Sequence, residues 1–466
     1  MGNIIQLDTA CPNNTWVFAA GKVANGTNIY GYRTFIRHFE EIIRWENSGD
    51  DERKYGKQRF VMNVSKETDT VANILHTYDQ SIRPLGVKMV VIMPGIEDCK
   101  EGTSIDSFKQ DLEALILKVL SEDQVPVVMT PYAILDVKMK KVLAPYIEVI
   151  REIATTQQIH IVDFYKTWSD KGADYITSRL DEDSMLPNEL GHLDMGKQLA
   201  NSIGLKFSSE GPMNTIVTMF KDSKAYVSSN KSCQIEDTTG TYTYIQEQLV
   251  SDKPITWLFM GDSITHGALW TYGYDDFTEL FEKRLRNEIG RTGDIIINTG
   301  VSGATTQEFL QNKDSRCFRY DADIVFIMLG MNDCVTLSVE LFEANLKEIV
   351  KEVREVNGMP ILMTPNVAPG RIHVLPPYIE AIRKVAREEN VMLIDHFKEW
   401  EERATNPEIL ERWVSAADSV MQIHPTSLGH LTMTKSIFKA VGIYDLKSPL
   451  CTMEYSSISI PNNKGE

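Results

Sequence analysis

The 466-residue sequence lacks several features that would point to particular classes of protein. Basic residues are scarce: 48 Lys and Arg face 65 Asp and Glu, and the net charge of -17 argues against nucleic acid or an anionic membrane surface as the main partner. No stretch approaches the roughly 20 apolar residues that a membrane span needs. The N-terminus has no basic region followed by an apolar run, so we expect no signal peptide and a cytoplasmic location. The six cysteines are scattered without CxxC or metal-finger spacing, which is typical of reduced thiols.

What the sequence does contain is an internal repeat. Eight segments of the first half recur in the same order in the second half, at offsets between 232 residues (142 to 374) and 242 residues (30 to 272). They begin at positions 15, 30, 63, 89, 126, 142, 159 and 185 and recur at 256, 272, 300, 324, 360, 374, 391 and 423. This regular spacing indicates two homologous domains of about 200 residues each. We expect domains at 1–205 and 241–466, joined by a linker at 206–240.

Each repeat alternates short apolar runs with amphipathic stretches. In the second repeat the runs predict strands at Trp257–Met260, Ile295–Asn298, Ile324–Leu329, Pro360–Thr364 and Val391–Ile394. The amphipathic stretches predict helices at Thr241–Val250, Asp275–Asn287, Leu341–Val356, Pro377–Glu389 and Ser427–Ala440. Strands that alternate with helices predict an α/β fold in which each domain has a central parallel sheet between two layers of helices.

Four groups of the second repeat follow strand ends or precede the last helix, where a parallel sheet gathers functional residues. Ser263 lies at the strand-to-helix turn of TWLFMGDSITHG, which is a good position for a nucleophile. A glycine of INTGVSGATT, either Gly300 or Gly303, could offer its backbone N–H to an oxyanion, and the Asn332 side chain could offer another. His424 could accept the Ser263 proton.

With these blocks in this order, the second repeat resembles the SGNH (GDSL-type) hydrolases over about residues 241–445. The resemblance implies an α/β/α fold, hydrolysis or transfer of ester-linked acyl groups, and no metal or cofactor. The family's glycine follows a serine and lies just before a threonine, which favours Gly303 in VSGAT. The GDSIT and GVSGATT motifs are similar to those of a bacterial branch of the family that includes carbohydrate deacetylases and lysophospholipase-like esterases.

The sequence departs from the family pattern at the acid behind the catalytic histidine. Family members usually carry an aspartate three residues before that histidine, where this chain has Met421. The nearest upstream acid is Asp418, six residues before His424. Either a small insertion lets Asp418 reach His424 as the third member of the triad, or a backbone carbonyl orients the imidazole. Around the site, Asp262 and Asp333 are expected to brace the loops. His266 and Trp270 are not repeated in the first copy, so they are candidates for the substrate pocket.

The first repeat lacks all four groups of the proposed centre. Lys22, Lys66, Glu97 and Leu186 stand where Ser263, Gly303, Asn332 and His424 stand in the second repeat. We expect the first domain to be a degenerate hydrolase, and we expect Lys22 and Glu97 to form an ion pair that fills the old site.

The sequence thus predicts a serine esterase that removes a small acyl group, favouring O-acetyl on a carbohydrate, through an acyl-enzyme intermediate. Two alternatives stay open. The same fold could carry an acyltransferase, a lysophospholipase or a thioesterase, or both domains could form a non-catalytic glycan-binding or scaffold protein. The sequence does not indicate an oligomeric state.

Overall fold

The structure, a computed structural model, describes residues 15–45, 59–181, 186–205, 225–227, 239–267, 270–403, 410, 413–414 and 422–455. The described residues divide into two compact units. The first unit holds those up to 205, and the second holds nearly all of those from 225 onwards. The domain boundaries themselves stay a prediction, since most of the expected linker lies outside the described residues.

The strands are short and follow the apolar runs of the sequence. In chain order they are β1 (Trp16–Ala19), β2 (Val61–Asn63), β3 (Met89–Ile92), β4 (Val125–Met129), β5 (His160–Val162), β6 (Ala225–Val227), β7 (Thr256–Gly261), β8 (Ile295–Asn298), β9 (Ile324–Met328), β10 (Met359–Met363), β11 (Met392–Ile394) and β12 (Met453–Tyr455). Nearly every residue of β1 to β4 and of β7 to β10 is buried, as expected for strands covered on both faces.

Helices follow most of these strands. Those of the first unit are Phe35–Trp45, Val71–Ser81, Ile96–Glu101, Ile105–Ser121, Val137–Thr156, Phe164–Lys171, Ala173–Thr177 and Glu189–Ser202. Those of the second unit are Thr241–Val250, Ser263–His266, Phe277–Lys283, Thr306–Gln311, Lys313–Arg316, Val339–Glu355, Pro376–Glu388, His396–Arg403, Ser427–Ala440 and Pro449–Thr452. In the described residues, no helix is both long enough and apolar enough to cross a membrane.

Each unit is built around a five-stranded parallel sheet. The strand order is β2-β1-β3-β4-β5 in the first unit and β8-β7-β9-β10-β11 in the second, so the two sheets have the same topology. All neighbouring strands within these sheets are parallel. The prediction of an α/β fold with central parallel sheets is therefore confirmed. In each unit the second strand lies on one side of the first strand, and all later strands are added on its other side. Parallel sheets bind ligands at this topological switch point, beside the first strand.

The two units also share hydrogen bonds at equivalent positions. Arg383 donates from Nε to Asp395 at 2.7 Å, and Arg151 donates from Nε to Asp163 at 2.8 Å. A threonine hydroxyl at the end of β10 or β4 donates to the same carboxylate at 3.1 Å in both units. These common contacts give Asp395 and Asp163 a structural role.

Two local features differ from the sequence-based expectation. The helix expected over 275–287 begins at Phe277, because Asp276 caps it by accepting from the Thr278 and Glu279 N–H groups, and it changes into a π-helical turn at Arg284–Glu288. Within the expected linker, β6 pairs with β12 in a small antiparallel sheet.

Candidate active site

The turn that carries Ser263 is held from two sides. The Oδ1 atom of Asp262 accepts the Ile264 N–H at 2.9 Å, which caps the short helix that Ser263 begins. Gly300, in the loop after β8, approaches this helix so closely that a Cβ there would lie 2.4 Å from the His266 backbone nitrogen. Only glycine fits at that contact. Gly300 is therefore required for the packing of the nucleophile turn.

His424, which lies just before the helix Ser427–Ala440, contacts the Ser263 hydroxyl. Its Nε2 atom lies 2.9 Å from the Ser263 Oγ atom, and its ring is buried. The neighbouring backbone is fixed by Asn366, whose side-chain nitrogen donates to the Ile423 carbonyl at 3.0 Å. The Thr426 hydroxyl caps the helix that follows. The loop that presents His424 is thus tied to the segment after β10.

The two glycines that the sequence left open have different surroundings. The Gly300 N–H donates to the Asn298 Oδ1 atom at 3.0 Å, so it is already engaged. Gly303 has a φ of 83°, a conformation that favours glycine, and among the described residues its N–H has no hydrogen-bond acceptor. The structure therefore favours Gly303 over Gly300 as a donor to a ligand.

Two further donors belong to the same loops. Within the described part of the chain the Ser263 N–H makes no hydrogen bond. Asn332 follows β9 and uses one side-chain N–H to donate to the Ala304 carbonyl at 3.0 Å, which leaves its second side-chain hydrogen for a ligand. Ser263, Gly303 and Asn332 come from the loops after β7, β8 and β9, three neighbouring strands of the sheet.

Asp333 joins the loops after β8 and β9. Its carboxylate accepts the Thr306 N–H at 2.8 Å and the Gly330 N–H at 3.1 Å, and burial raises the pKa of this carboxyl. Asp98 of the first unit makes the equivalent bonds to the Val71 and Gly95 N–H groups. Since both units keep this arrangement, Asp333 positions loops and does not distinguish one site from the other.

A buried arginine that sequence reasoning missed lies behind the nucleophile turn. The Arg316 guanidinium is fully buried and donates to the Gly261 carbonyl at 2.6 Å and to the Thr299 carbonyl at 3.0 Å. It also pairs with Glu308 and joins the ends of β7 and β8. The aligned stretch of the first repeat, around 79–81, has no arginine. The presence of this arginine in the second repeat alone was the sequence signal that could have identified it.

Asp262 lies in the same buried region with an unusual protonation preference. Burial raises the pKa of its carboxyl to about 7, and the nearby Asp333 carboxyl adds to the effect while Arg316 opposes it. The Oδ2 atom of Asp262 has no hydrogen-bond partner among the described residues. Asp262 thus braces the turn through one oxygen only.

The two candidate pocket residues have different surroundings. The His266 ring is buried, and its Nδ1 atom lies 3.0 Å from the Ser302 hydroxyl, so this histidine links the nucleophile helix to the loop after β8. The half-buried Trp270 stacks on His424, with 4.6 Å between ring centroids and 13° between ring planes. Trp270 therefore borders the reacting groups directly. Asp418, the candidate acid, lies outside the described residues.

The corresponding site of the first unit differs from the expectation. Lys22 Nζ lies 3.9 Å from Glu67, whereas Glu97 pairs with Lys100 at 2.8 Å. The prediction of a Lys22–Glu97 ion pair is therefore wrong, because each side chain has a nearer partner. Both side chains line a cavity that is partly open to solvent. The Lys66 N–H, at the Gly303 position, donates to Asp69 at 2.6 Å and is not free for an oxyanion.

No group of three or more His, Cys, Asp or Glu side chains in the described residues is arranged to hold a metal ion. The centre consists of a hydroxyl, an imidazole and nearby N–H donors. Such a set can transfer a proton from a nucleophile and stabilise a developing negative charge.

Residues 259–431 match the model of the GDSL-like lipase/acylhydrolase family. Over 219 residues the chain is 25% identical to an acetylxylan esterase of Geobacillus stearothermophilus, which covers 41% of this chain and 95% of that protein. Over 122 residues it is 33% identical to an uncharacterized protein of Mycoplasma pneumoniae, but this covers only 25% of this chain and 14% of that protein. Among solved structures, an acetylxylan esterase from G. stearothermophilus is similar at 21% identity and a TM-score of 0.36, over 41% of this chain and 95% of that one.

Proposed function

Since the second unit belongs to the GDSL-like lipase/acylhydrolase family, a family of carboxylic ester hydrolases, we propose that it is a serine esterase in which Ser263 is the nucleophile and His424 the general base. The observation that carries this proposal is the 2.9 Å contact between Ser263 Oγ and His424 Nε2. A base that takes a proton from a nucleophile must lie within hydrogen-bond distance of it.

In the first step, Ser263 Oγ attacks the carbonyl carbon of the ester and its proton passes to His424 Nε2. The carbonyl oxygen becomes an oxyanion. The Ser263 and Gly303 N–H groups and the free side-chain hydrogen of Asn332 donate to it. They lie in the loops after β7, β8 and β9, and donors that are fixed before the charge develops need little reorganisation.

In the second step, the carbon–oxygen bond to the alcohol breaks and His424 returns the proton to the departing oxygen. The acyl group is left on Ser263 Oγ. A water molecule then gives a proton to His424 and attacks the acyl carbon through the same oxyanion site, and the carboxylic acid leaves as Ser263 regains its proton. Protons and charges balance over one cycle without another co-reactant.

We further propose that the acyl group is small, with O-acetyl on a carbohydrate favoured. The relative that supports this is the acetylxylan esterase, which the chain matches over 95% of its length. Asp418 stays the proposed orienting acid, and the cytoplasmic location stays a prediction.

The first unit is proposed to be a degenerate copy that arose by duplication. The shared strand order and the paired Asp163 and Asp395 contacts support the common origin. Its loss of activity is expected because Lys22 and Leu186 occupy the positions of the nucleophile and the base.

The decisive experiment compares Ser263→Ala with Lys22→Ala, its counterpart in the first unit, on 4-nitrophenyl acetate and on acetylated xylo-oligosaccharides. We expect Ser263→Ala to lose activity by about 10⁴-fold or more, while Lys22→Ala keeps it. A fluorophosphonate should label the wild-type protein at Ser263. Undiminished hydrolysis by Ser263→Ala would contradict the proposed nucleophile, and absence of both labelling and hydrolysis in the wild type would favour a binding protein. Faster hydrolysis of long-chain esters would contradict the acetyl substrate alone.

A further inference from the structure

The cavity of the first unit lies at the carboxyl ends of β1 and β3, where the second unit has Ser263. The cavity is partly open to solvent. Much of its wall is apolar and is formed by Val23, Met93, Ile96, Ile134, Met139, Leu143 and Leu186. A wall of this kind suits an aliphatic group better than a sugar, whose hydroxyls need hydrogen-bond partners.

Three positions in this cavity differ from the esterase site in a consistent way. Lys22 lies at the Ser263 position and Leu186 at the His424 position. Tyr132 lies at the position of Asn366, the residue that ties down the His424 loop in the second unit. An ammonium, a phenol and an added apolar side chain have thus replaced the hydrolytic groups.

The charged side chains that line the cavity differ in how closely they are paired. Glu97 is paired with Lys100 at 2.8 Å, and Asp69 accepts the Lys66 N–H at 2.6 Å. Lys22 has only a 3.9 Å contact with Glu67, and both of these side chains are about two-fifths exposed, so this pair contributes little. Lys22 is therefore the cavity cation that is most available to an anion.

Tyr132 gives a second, independent indication of a ligand. Its side chain lines the cavity and is only 4% exposed, yet in the described residues its hydroxyl has no hydrogen-bond partner. Burial and the nearby Glu97 carboxylate raise the pKa of this phenol, so it stays a neutral donor. The hydroxyl is therefore available to donate to a ligand in the cavity.

We propose that this cavity binds a small carboxylate with an aliphatic tail, whose oxygens accept from Lys22 Nζ and the Tyr132 hydroxyl while the tail contacts the apolar wall. A charge-assisted bond from an ammonium and a bond from a neutral phenol are the donors that a carboxylate prefers. No covalent step is involved. This site is separate from Ser263 and does not depend on the proposed esterase activity.

The test is calorimetric titration of the full-length protein with sodium octanoate, octanamide and octylammonium chloride. These probes share a tail length and differ in charge. We expect octanoate to bind most tightly and Lys22→Met to weaken it by about tenfold or more. Met139→Trp, which fills the cavity without changing charge, should abolish binding. Lys138→Met, an exposed lysine outside the cavity, should leave binding unchanged.

Tighter binding of octylammonium or octanamide would overturn the proposal, because the cavity would then not select a carboxylate. Unchanged octanoate affinity in both Lys22→Met and Met139→Trp would overturn it as well, since the binding would lie elsewhere. The 4-nitrophenyl acetate activity of each variant reports separately on the second unit and on correct folding.

Discussion

The indole of Trp270 lies parallel to the imidazole of His424, with 4.6 Å between the ring centroids. This contact fixes the plane of the imidazole from one face while its Nε2 atom is directed at the Ser263 hydroxyl.

Trp270→Ala should therefore lower kcat by about three- to tenfold, the effect of losing one aromatic pair. Trp270→Phe should retain most of the activity, because a smaller ring still covers the imidazole. The measurement is kcat and KM on 4-nitrophenyl acetate over a range of pH. A change in KM alone would assign Trp270 to substrate contact and not to positioning His424.

Asn332→Ala should lower kcat by about 10²-fold, because it removes one of the three proposed oxyanion donors. KM should change little, since the interaction is made mainly with the transition state. Glu97→Ala, the equivalent change in the first unit, is the matched control and should leave turnover unchanged. If Asn332→Ala kept the wild-type kcat, the Ser263 and Gly303 N–H groups alone would be sufficient to stabilise the oxyanion.

Asp262→Asn should change how stability depends on pH. Burial raises the pKa of Asp262 from 3.8 to about 7, so the folded protein binds this proton more tightly than the unfolded chain does. The stabilisation is complete below pH 3.8 and is lost as pH rises to about 7. The loss amounts to up to about 4 kcal/mol. Between pH 5 and pH 8 the unfolding temperature of Asp262→Asn should fall less than that of the wild type. The amide oxygen of the variant should still accept the Ile264 N–H. Parallel pH profiles of the variant and the wild type would contradict this.

His396→Phe should stabilise the protein, most of all in acid. His396 is fully buried, its two ring nitrogens have no hydrogen-bond partners among the described residues, and burial lowers its pKa to about 4. Its folded form binds a proton poorly, so stability is present above pH 6.5 and is lost as pH falls to about 4. The equivalent residue of the first unit is Phe164, also buried, which shows that the position accepts phenylalanine.

The reciprocal variant Phe164→His is the control for this prediction. It should give the first unit the acid sensitivity that His396→Phe removes from the second. The observable is the unfolding temperature at pH 5 and pH 8 for both variants. A lower unfolding temperature for His396→Phe than for the wild type at both pH values would show that His396 makes a stabilising contact.

Much of the fold follows from local patterns in the sequence. The predicted strand Ile295–Asn298 and the predicted helix Ser427–Ala440 agree with the structure at both ends. A continuous apolar run defines the first, and a threonine cap at 426 defines the start of the second. The π-helical turn at Arg284–Glu288 has no such local signal, because its residues also suit an ordinary helix.

Side-chain partners were less predictable than backbone positions. Alignment brought Lys22 and Glu97 to one sheet edge, but their long side chains reach Glu67 and Lys100 instead. Arg316 and Asn366 bind backbone carbonyls of distant segments, so their neighbours in the sequence gave no sign of their roles. Asp418 stays a prediction.

The pairing of Ser263 with His424 joins residues 161 positions apart. A chain emerging from the ribosome carries Ser263 long before His424 is made, and domains acquire their structure as units during synthesis. The nascent protein should therefore be unable to hydrolyse esters until nearly the whole second unit has been translated. Turnover of a fluorogenic ester by stalled chains of increasing length would then report on completion of folding.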